Sequence, residues 1–273
     1  MAQRYNYDQE YIQRTRKQRI SARERQRRRR RKIIRRVIII GAIIIAGTYF
    51  ARPLVTDLIT SRYESRQAGI TSIFDGNSNI EDNPELEKFM KKYEKGNYKT
   101  GQEIKYAAEE LEADFPQLMQ WDARWGYDPY GSSVIGITGC APTTMAMVIV
   151  GLNDDPTVNP RVLADYATQN GFYEEGSGTA WAFFAACANA YGIQCNEIAL
   201  SESNILASVQ SGQPVVCGMR PGHFTTSGHF IVIVGEEDGK LVIHDPNNVK
   251  NCEQRWDYDT IANEIKVLWS FSK

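Results

Sequence analysis

Residues 139–148 read Gly-Cys-Ala-Pro-Thr-Thr-Met-Ala-Met-Val, a turn that runs directly into an apolar helix. Cys140 therefore stands at a helix N-terminus, where unpaired backbone N–H groups and the positive end of the helix dipole favour a thiolate over a thiol. Pro142 fits the first turn because it has no N–H to lose. The same N–H groups can stabilise an oxyanion. The competing interpretation is a small buried apolar residue, so the choice depends on the partners that the fold brings to Cys140.

A base for this thiol is sought among three histidines, His223, His229 and His244. His229 opens an apolar run at 229–235 that predicts a buried strand, and the chain then turns back through a second strand ending at Asp245. His229 and Asp245 thus lie at the same end of one hairpin, as a general base and the acid that orients its ring would. We interpret the other two histidines as structural: His223 is in a loop, and His244 points away from Asp245 because strand side chains alternate.

The register of this hairpin decides whether His229 and Asp245 can share a face. A two-residue turn at Asp238-Gly239 would put the two side chains on opposite faces, because a one-residue slip reverses every side chain of a strand. We therefore expect a longer loop, or a bulge with Gly239 in the left-handed conformation, that lets Asp245 bond to the His229 ring. Otherwise a nearby asparagine takes the orienting role.

Four blocks of the chain resemble one known family; they are residues 120–127 (Gln-Trp-Asp-Ala-Arg-Trp-Gly-Tyr), 139–144 (Gly-Cys-Ala-Pro-Thr-Thr), 228–230 (Gly-His-Phe) and 244–247 (His-Asp-Pro-Asn). Over residues 83–273 the chain is similar to papain-like cysteine peptidases of the bacteriocin-processing, double-glycine leader peptidase type, in their stand-alone, membrane-anchored form from Gram-positive bacteria. The resemblance implies that Cys140 is the nucleophile, His229 the general base and Asp245 the residue that orients the imidazole. It also assigns Gln120 to the oxyanion hole, which requires the loop between Gln120 and Cys140 to fold back. No cofactor is implied.

Apolar periodicity predicts an α+β fold in which the nucleophile helix packs on an antiparallel sheet, the papain-like arrangement. One helix is predicted from an Asn83 cap to near Gly96 and a second over residues 101–113, both packing on the catalytic domain as an N-terminal extension. Beyond Cys140 the chain is rich in helices and then in strands. The expected helices cover residues 141–152, 160–170, 179–191 and 202–211, and the expected strands cover 214–219, 229–235, 241–244 and 266–271.

The near-zero net charge of −1 hides a division between the two ends of the chain. Residues 1–36 hold fifteen of the 32 lysines and arginines but three of the 33 acids, and the apolar stretch 37–51 follows. The basic segment is long for a signal peptide and no clean cleavage site follows, so an uncleaved transmembrane signal anchor is favoured over a cleaved signal peptide. The positive charge predicts a cytoplasmic N-terminus. The organisation is then a basic cytoplasmic tail, the anchor, a stem at 52–82 and an extracellular peptidase domain at 83–273.

The four cysteines other than Cys140 are more easily explained by structure than by chemistry. Core packing is predicted for Cys187, which falls in a helix, and for Cys217, which falls in a strand. The sequence leaves open whether Cys195 and Cys252 form a disulfide, because connectivity does not follow from sequence. No Cys-x-x-Cys or His cluster occurs in the sequence, which argues against a metal site.

These features predict a membrane-anchored, outward-facing cysteine peptidase that hydrolyses peptide bonds through a Cys-His-Asp site. Its substrate is a secreted peptide or a peptide of peptidoglycan. The arginine run at 27–31 is typical of phosphate-backbone binding, but before a membrane span it is better interpreted as charge that sets topology and contacts anionic lipid, so no specific nucleic-acid partner is expected. Two alternatives remain: a catalytically silent papain-like module that binds a peptide or glycan, and a protein whose main role is cytoplasmic, through its arginine-rich tail.

Overall fold

The computed structural model describes residues 83–273. The predicted tail, transmembrane anchor and stem, at residues 1–36, 37–51 and 52–82, lie outside the described residues. Among the helices of residues 83–273, none combines the length and the apolar character that a membrane span requires.

The described residues form nine α-helices and ten β-strands. The helices are α1 Pro84–Glu94, α2 Ala108–Glu112, α3 Ile135–Thr138, α4 Cys140–Asn153, α5 Pro160–Gln169, α6 Ala182–Ala190, α7 Glu202–Gln210, α8 Val249–Glu253 and α9 Tyr258–Ile261. The strands are β1 Pro129–Tyr130, β2 Ser133–Val134, β3 Tyr173–Glu174, β4 Gly178–Thr179, β5 Gln194–Glu197, β6 Val215–Met219, β7 His229–Glu237, β8 Lys240–His244, β9 Arg255–Trp256 and β10 Ile265–Ser272. Six strands form one antiparallel sheet in the order β5-β10-β6-β7-β8-β9.

The central sheet carries an apolar core on each face. Because strand side chains alternate, β7 sends Val232 to one core and Ile231 to the other. Helix α4 belongs to the first core and is apolar on nearly all sides, as a buried helix must be. Thr144 Oγ1 of α4 donates to the Phe230 carbonyl at 3.3 Å, which joins the helix to β7. The predicted α+β fold, with the cysteine-bearing helix packed on an antiparallel sheet, is confirmed.

The prediction of a second helix over residues 101–113 is wrong for its first half. Within this range only α2, near the end, is helical. The Gly101 N–H donates to Asp128 Oδ1 at 2.6 Å, and Arg161 Nη1 donates to the Gln102 carbonyl at 2.8 Å. These bonds to residues distant in sequence hold the backbone in an irregular path. Tertiary contacts therefore override the local helix propensity.

The turn of the β7–β8 hairpin is shorter than expected. Asp238 and Gly239 form a two-residue turn with φ values of 53° and 79°, and Glu237 pairs directly with Lys240. Positive φ at both central residues is the geometry that matches the twist of the flanking strands, and the Asp-Gly sequence favours it. The expected longer loop is therefore wrong.

The expected bulge is present, but inside β7 rather than at the turn. The pairing with β8 shifts by one residue between Ile233 and Gly235. Beyond this shift every residue of β7 changes face relative to its β8 neighbours. As a result His229 and Asp245 lie on the same face, two residues apart in register.

All five cysteines are free thiols. Cys187 and Cys217 are fully buried, as predicted for core packing. Cys195 lies in β5 at one edge of the sheet, whereas Cys252 lies in α8, beside the strands of the opposite edge. At about 4.8 Å per strand the two are on the order of 20 Å apart, and a disulfide needs Cα atoms within about 7 Å. The Cys195–Cys252 disulfide left open by the sequence is therefore excluded by the strand order.

Candidate active site

Cys140 is the first residue of α4 and is partly exposed. The residue before it, Gly139, leaves no room for a side chain, because a Cβ atom there would lie 2.4 Å from the carbonyl oxygen of Ile135. No side chain caps this end of α4. The first N–H groups of the helix and the positive end of its dipole therefore remain available beside the thiol.

The His229 ring lies between Asp245 and Cys140. His229 Nε2 and Asp245 Oδ1 are 2.7 Å apart, and Cys140 lies close enough to the ring to influence the pKa of His229. Burial lowers the pKa of His229, but the Asp245 carboxylate and Cys140 outweigh burial and raise that pKa above the ordinary value for histidine. The protonated ring is therefore favoured at neutral pH.

The Asp245 carboxylate is fully buried and accepts three hydrogen bonds. Oδ1 accepts from His229 and from the Asn247 N–H at 2.8 Å, while Oδ2 accepts from Asn251 Nδ2 at 2.7 Å. The Asp245 N–H itself donates to Cys252 Sγ at 3.1 Å. The sequence did not indicate Asn251, since it reaches the carboxylate only because the chain folds back into α8.

Gln120 lies close to the other candidate residues because the loop after it does fold back. Its backbone N–H donates to the Pro246 carbonyl at 2.7 Å, directly after Asp245. Its side-chain Nε2 donates to the Gly136 carbonyl at 3.2 Å, in the segment that leads to Cys140. The amide oxygen Oε1 is buried without a hydrogen-bond partner. Nε2 also lies 3.4 Å from the Ile137 carbonyl, so the side chain is held between the segment that leads to Cys140 and the segment that follows Asp245.

The other two histidines are engaged elsewhere, in agreement with their structural interpretation. His223 Nδ1 contacts the Glu264 carboxylate, and the His223 N–H donates to Glu264 Oε2 at 2.8 Å. Burial lowers the pKa of His244 to about 4, against a hydrogen bond to the Pro116 backbone that raises it. His244 is therefore neutral at physiological pH.

Tyr130 is a neighbour of Cys140 that the sequence did not indicate. Its side chain is fully buried, and its hydroxyl lies 2.6 Å from Thr179 Oγ1. Burial raises the pKa of Tyr130, the hydrogen bond with Thr179 opposes that rise, and the proximity of Cys140 adds to it. Thr179 therefore joins the β3–β4 hairpin to Tyr130. Within residues 83–273, no three His, Cys, Asp or Glu side chains are grouped so that they could hold a metal ion.

Comparison with known proteins gives one family and several solved structures. The Peptidase_C39 like family matches residues 112–272. The peptidase domain of Streptococcus ComA, described as a bifunctional ABC transporter involved in a quorum-sensing pathway, is 16% identical with a TM-score of 0.39, and the match covers 50% of this chain and 91% of that chain. A putative C39-like peptidase from Bacillus anthracis is 17% identical with a TM-score of 0.33, and the match covers 50% of this chain and 89% of that chain. The Streptococcus mutans ComA peptidase domain in complex with a small-molecule inhibitor is 18% identical with a TM-score of 0.32, and the match covers 42% of this chain and 89% of that chain. No curated protein matches the chain.

Proposed function

The chain belongs to the Peptidase_C39 like family, and from this premise we propose that it is a cysteine peptidase with Cys140 as its nucleophile. The observation that carries the proposal is the buried His229–Asp245 contact of 2.7 Å, together with a cysteine at the N-terminus of α4 that lies close enough to the same ring to raise its pKa. A base that is oriented by a buried acid and placed beside a thiol is what nucleophilic catalysis at cysteine requires.

The chemistry proceeds in two halves. The Cys140 thiolate attacks the carbonyl carbon of the scissile peptide bond, and the oxyanion forms beside the first N–H groups of α4 and the Gln120 amide. Protonated His229 gives its proton to the leaving amine as the C–N bond breaks, which leaves a thioester on Cys140. Neutral His229 then takes a proton from water, and the resulting hydroxide hydrolyses the thioester to a carboxylic acid and the free thiol. Asp245 keeps the imidazole oriented in both halves.

The cellular setting is part of the same proposal. The apolar stretch 37–51 is a signal anchor, the N-terminus is cytoplasmic, and the peptidase domain at 83–273 works outside the membrane. Its substrates are then peptides that reach the outer surface, either secreted peptides or peptides of peptidoglycan. Protease added to intact cells is expected to release a fragment that begins within residues 52–82; protection of that fragment until the membrane is broken would reverse the topology.

The activity is tested on the full-length protein in detergent. The wild type and Cys140→Ala are incubated separately with a mixture of synthetic peptides and with peptides from digested peptidoglycan, and new N-terminal amines are identified by mass spectrometry. We expect cleavage by the wild type alone. Fast alkylation of Cys140 that depends on His229, without cleavage of either mixture, would instead support the silent binding module. Cleavage that persists in Cys140→Ala would remove Cys140 from the mechanism.

A further inference from the structure

Helix α1 lies outside the residues that match the family, 112–272, yet it packs on the segments that carry the candidate active site. The helix is amphipathic, with lysines and glutamates on its exposed side. Its apolar side forms a separate core cluster, whose buried members are Leu86, Phe89, Met90, Tyr93, Tyr127 and Val134. The cluster therefore joins α1 to the stretch between Gln120 and Cys140.

The N-terminal end of α1 reaches the segment that follows Asp245. Asn83 is 4% exposed and uses both ends of its side-chain amide. Its Oδ1 accepts from the Leu86 N–H at 3.1 Å and so caps the helix, while its Nδ2 donates to the Asn247 carbonyl at 2.6 Å. Trp121 Nε1 donates to the same carbonyl at 2.9 Å. The N–H of Asn247 in turn donates to Asp245 Oδ1, the oxygen that contacts His229.

The middle of α1 contacts the segment on the other side of the site. The Phe89 ring lies so close to Gly136 that a Cβ atom there would be 2.2 Å from the ring. The Tyr127 ring stacks on Phe89 at a centroid distance of 4.3 Å, so Phe89 has little freedom to move. The Gly136 carbonyl is the acceptor for Gln120 Nε2. Helix α1 thus supports both the segment that carries Asp245 and the segment that holds Gln120.

We propose that α1 is a positioning element of the active site and that Asn83 is its main positioning residue. Asn83 fixes the Asn247 carbonyl, which keeps the Asn247 N–H on Asp245 and so keeps Asp245 against His229. Asn83 touches neither substrate nor the reacting atoms, so it acts only through these residues. The proposal deepens the proposed function and rests on it.

The two roles of Asn83 can be separated by substitution. Asn83→Asp and Asn83→Ser both retain an oxygen that can cap α1, since Asp and Ser are as good as Asn at this position. Both lose the N–H that reaches Asn247, and Asp also places a carboxylate oxygen against the Asn247 carbonyl. A purely structural role in starting α1 would therefore leave the active site unchanged in both variants.

Asn159 provides a matched control. It is also a buried asparagine that precedes a proline, caps α5 through the Val162 N–H at 3.1 Å, and donates its Nδ2 to a carbonyl, that of Thr157, at 3.2 Å. Asn159→Asp makes the same chemical change at the start of α5, where the side chain bonds to the Thr157 carbonyl rather than to the segment after Asp245. It reports what loss of such a hydrogen bond does to stability alone.

The experiment measures the alkylation rate of Cys140 by iodoacetamide between about pH 5 and 8 in the full-length protein, together with thermal unfolding. We expect the rate at about pH 5.5 to fall about five- to thirtyfold in Asn83→Asp, and less in Asn83→Ser, because the loss of one hydrogen bond loosens Asp245 while Trp121 still holds Asn247. The acid limb of the rate profile should move to higher pH. Asn159→Asp should keep the wild-type profile.

Three outcomes separate the possibilities. Wild-type profiles in both Asn83 variants would overturn the positioning role and leave the proposed peptidase intact. Equal losses of rate in Asn83→Asp and Asn159→Asp would also overturn it, since general destabilisation would then explain the effect. If the wild type itself shows no fast alkylation at about pH 5.5, the proposed function fails, and the positioning role fails with it. Should Asn83→Asp not fold, Asn83→Ser carries the test because it introduces no charge.

Discussion

The substitution Asp245→Asn removes the negative charge beside His229 with the smallest change in shape. The Asp245 oxygens accept from His229, Asn247 and Asn251. An asparagine oxygen can keep the first two bonds, and Asn251 can turn its own amide to present an oxygen to the new NH₂ group. The variant is therefore expected to fold. What it loses is the attraction between a carboxylate and the imidazolium ring, whose nearest atoms are 2.7 Å apart.

The magnitude follows from that charge pair. Opposite unit charges about 4 Å apart attract by about 4 kcal/mol at an effective dielectric constant near 20, and 1.36 kcal/mol corresponds to a factor of ten. The protonated ring, and with it the thiolate, is thus expected to become about a thousandfold less favoured. Alkylation of Cys140 at about pH 5.5 should fall by a similar factor, as should the turnover of any substrate identified.

The matched control is Asp128→Asn. Asp128 is also buried, contacts Arg161, and accepts from the Gly101 N–H at 2.6 Å. Its loss should lower the unfolding temperature but leave the alkylation profile of Cys140 unchanged. If Asp245→Asn alkylates Cys140 at the wild-type rate at about pH 5.5, the charge of Asp245 has no part in activating the thiol and the reasoning is refuted.

The same pair makes a pH-dependent contribution to stability. The pKa of His229 is raised in the folded protein, against burial, by Asp245 and Cys140. A group with a raised pKa stabilises the fold fully below its unfolded pKa, 6.5 for histidine, and this stabilisation is lost as pH rises through the folded value. The difference in unfolding temperature between the wild type and Asp245→Asn should therefore be largest near pH 6 and shrink at alkaline pH.

Two further predictions concern the thiols and the docking of α1. Iodoacetamide at about pH 6 should label Cys140 well before Cys195, because burial, with a smaller effect of Glu197, raises the pKa of Cys195 to about 11; equal labelling of the five cysteines in the folded protein would contradict the assignment. Gly136→Ala should lower the free energy of unfolding by about 1–3 kcal/mol, since its new methyl group would overlap the Phe89 ring. In a Phe89→Leu background, Gly136→Ala should lower the free energy of unfolding by less than it does in the wild type. If urea unfolding shows that the two substitutions are strictly additive, the contact between Gly136 and Phe89 is refuted.

The local sequence was enough to predict most of the helices and strands and to identify the family. The apolar run after Cys140 predicts a buried helix because such a helix needs no polar side, and α4 begins within one residue of the predicted start. The apolar run at 229–235 and the polar turn after it predict the hairpin, although not the two-residue length of its turn. The match to the Peptidase_C39 like family confirms the resemblance read from the four sequence blocks. The site roles and the membrane anchor stay predictions.

The helix expected over residues 101–113 shows where local propensity stops being decisive. In its first half Ile104 and Tyr106 pack against the core at a spacing of two residues, as in an extended chain. The Asp128 carboxylate takes the Gly101 N–H. Such a competition between a local bond and a distant one is not visible in a window of sequence.

The sequence by itself determined where α4 begins and that His229 and Asp245 end the same hairpin, and it predicted which residues do the chemistry. Only the tertiary structure decided that these two share a face, because a bulge inside β7 depends on the strands and helices packed around it rather than on the turn residues. The tertiary structure also brought Gln120 beside Pro246 and placed Asn83 against Asn247, 164 residues away. Periodicity records which face of an element is buried, whereas contacts between distant segments depend on how those faces pack, and no local pattern encodes that packing.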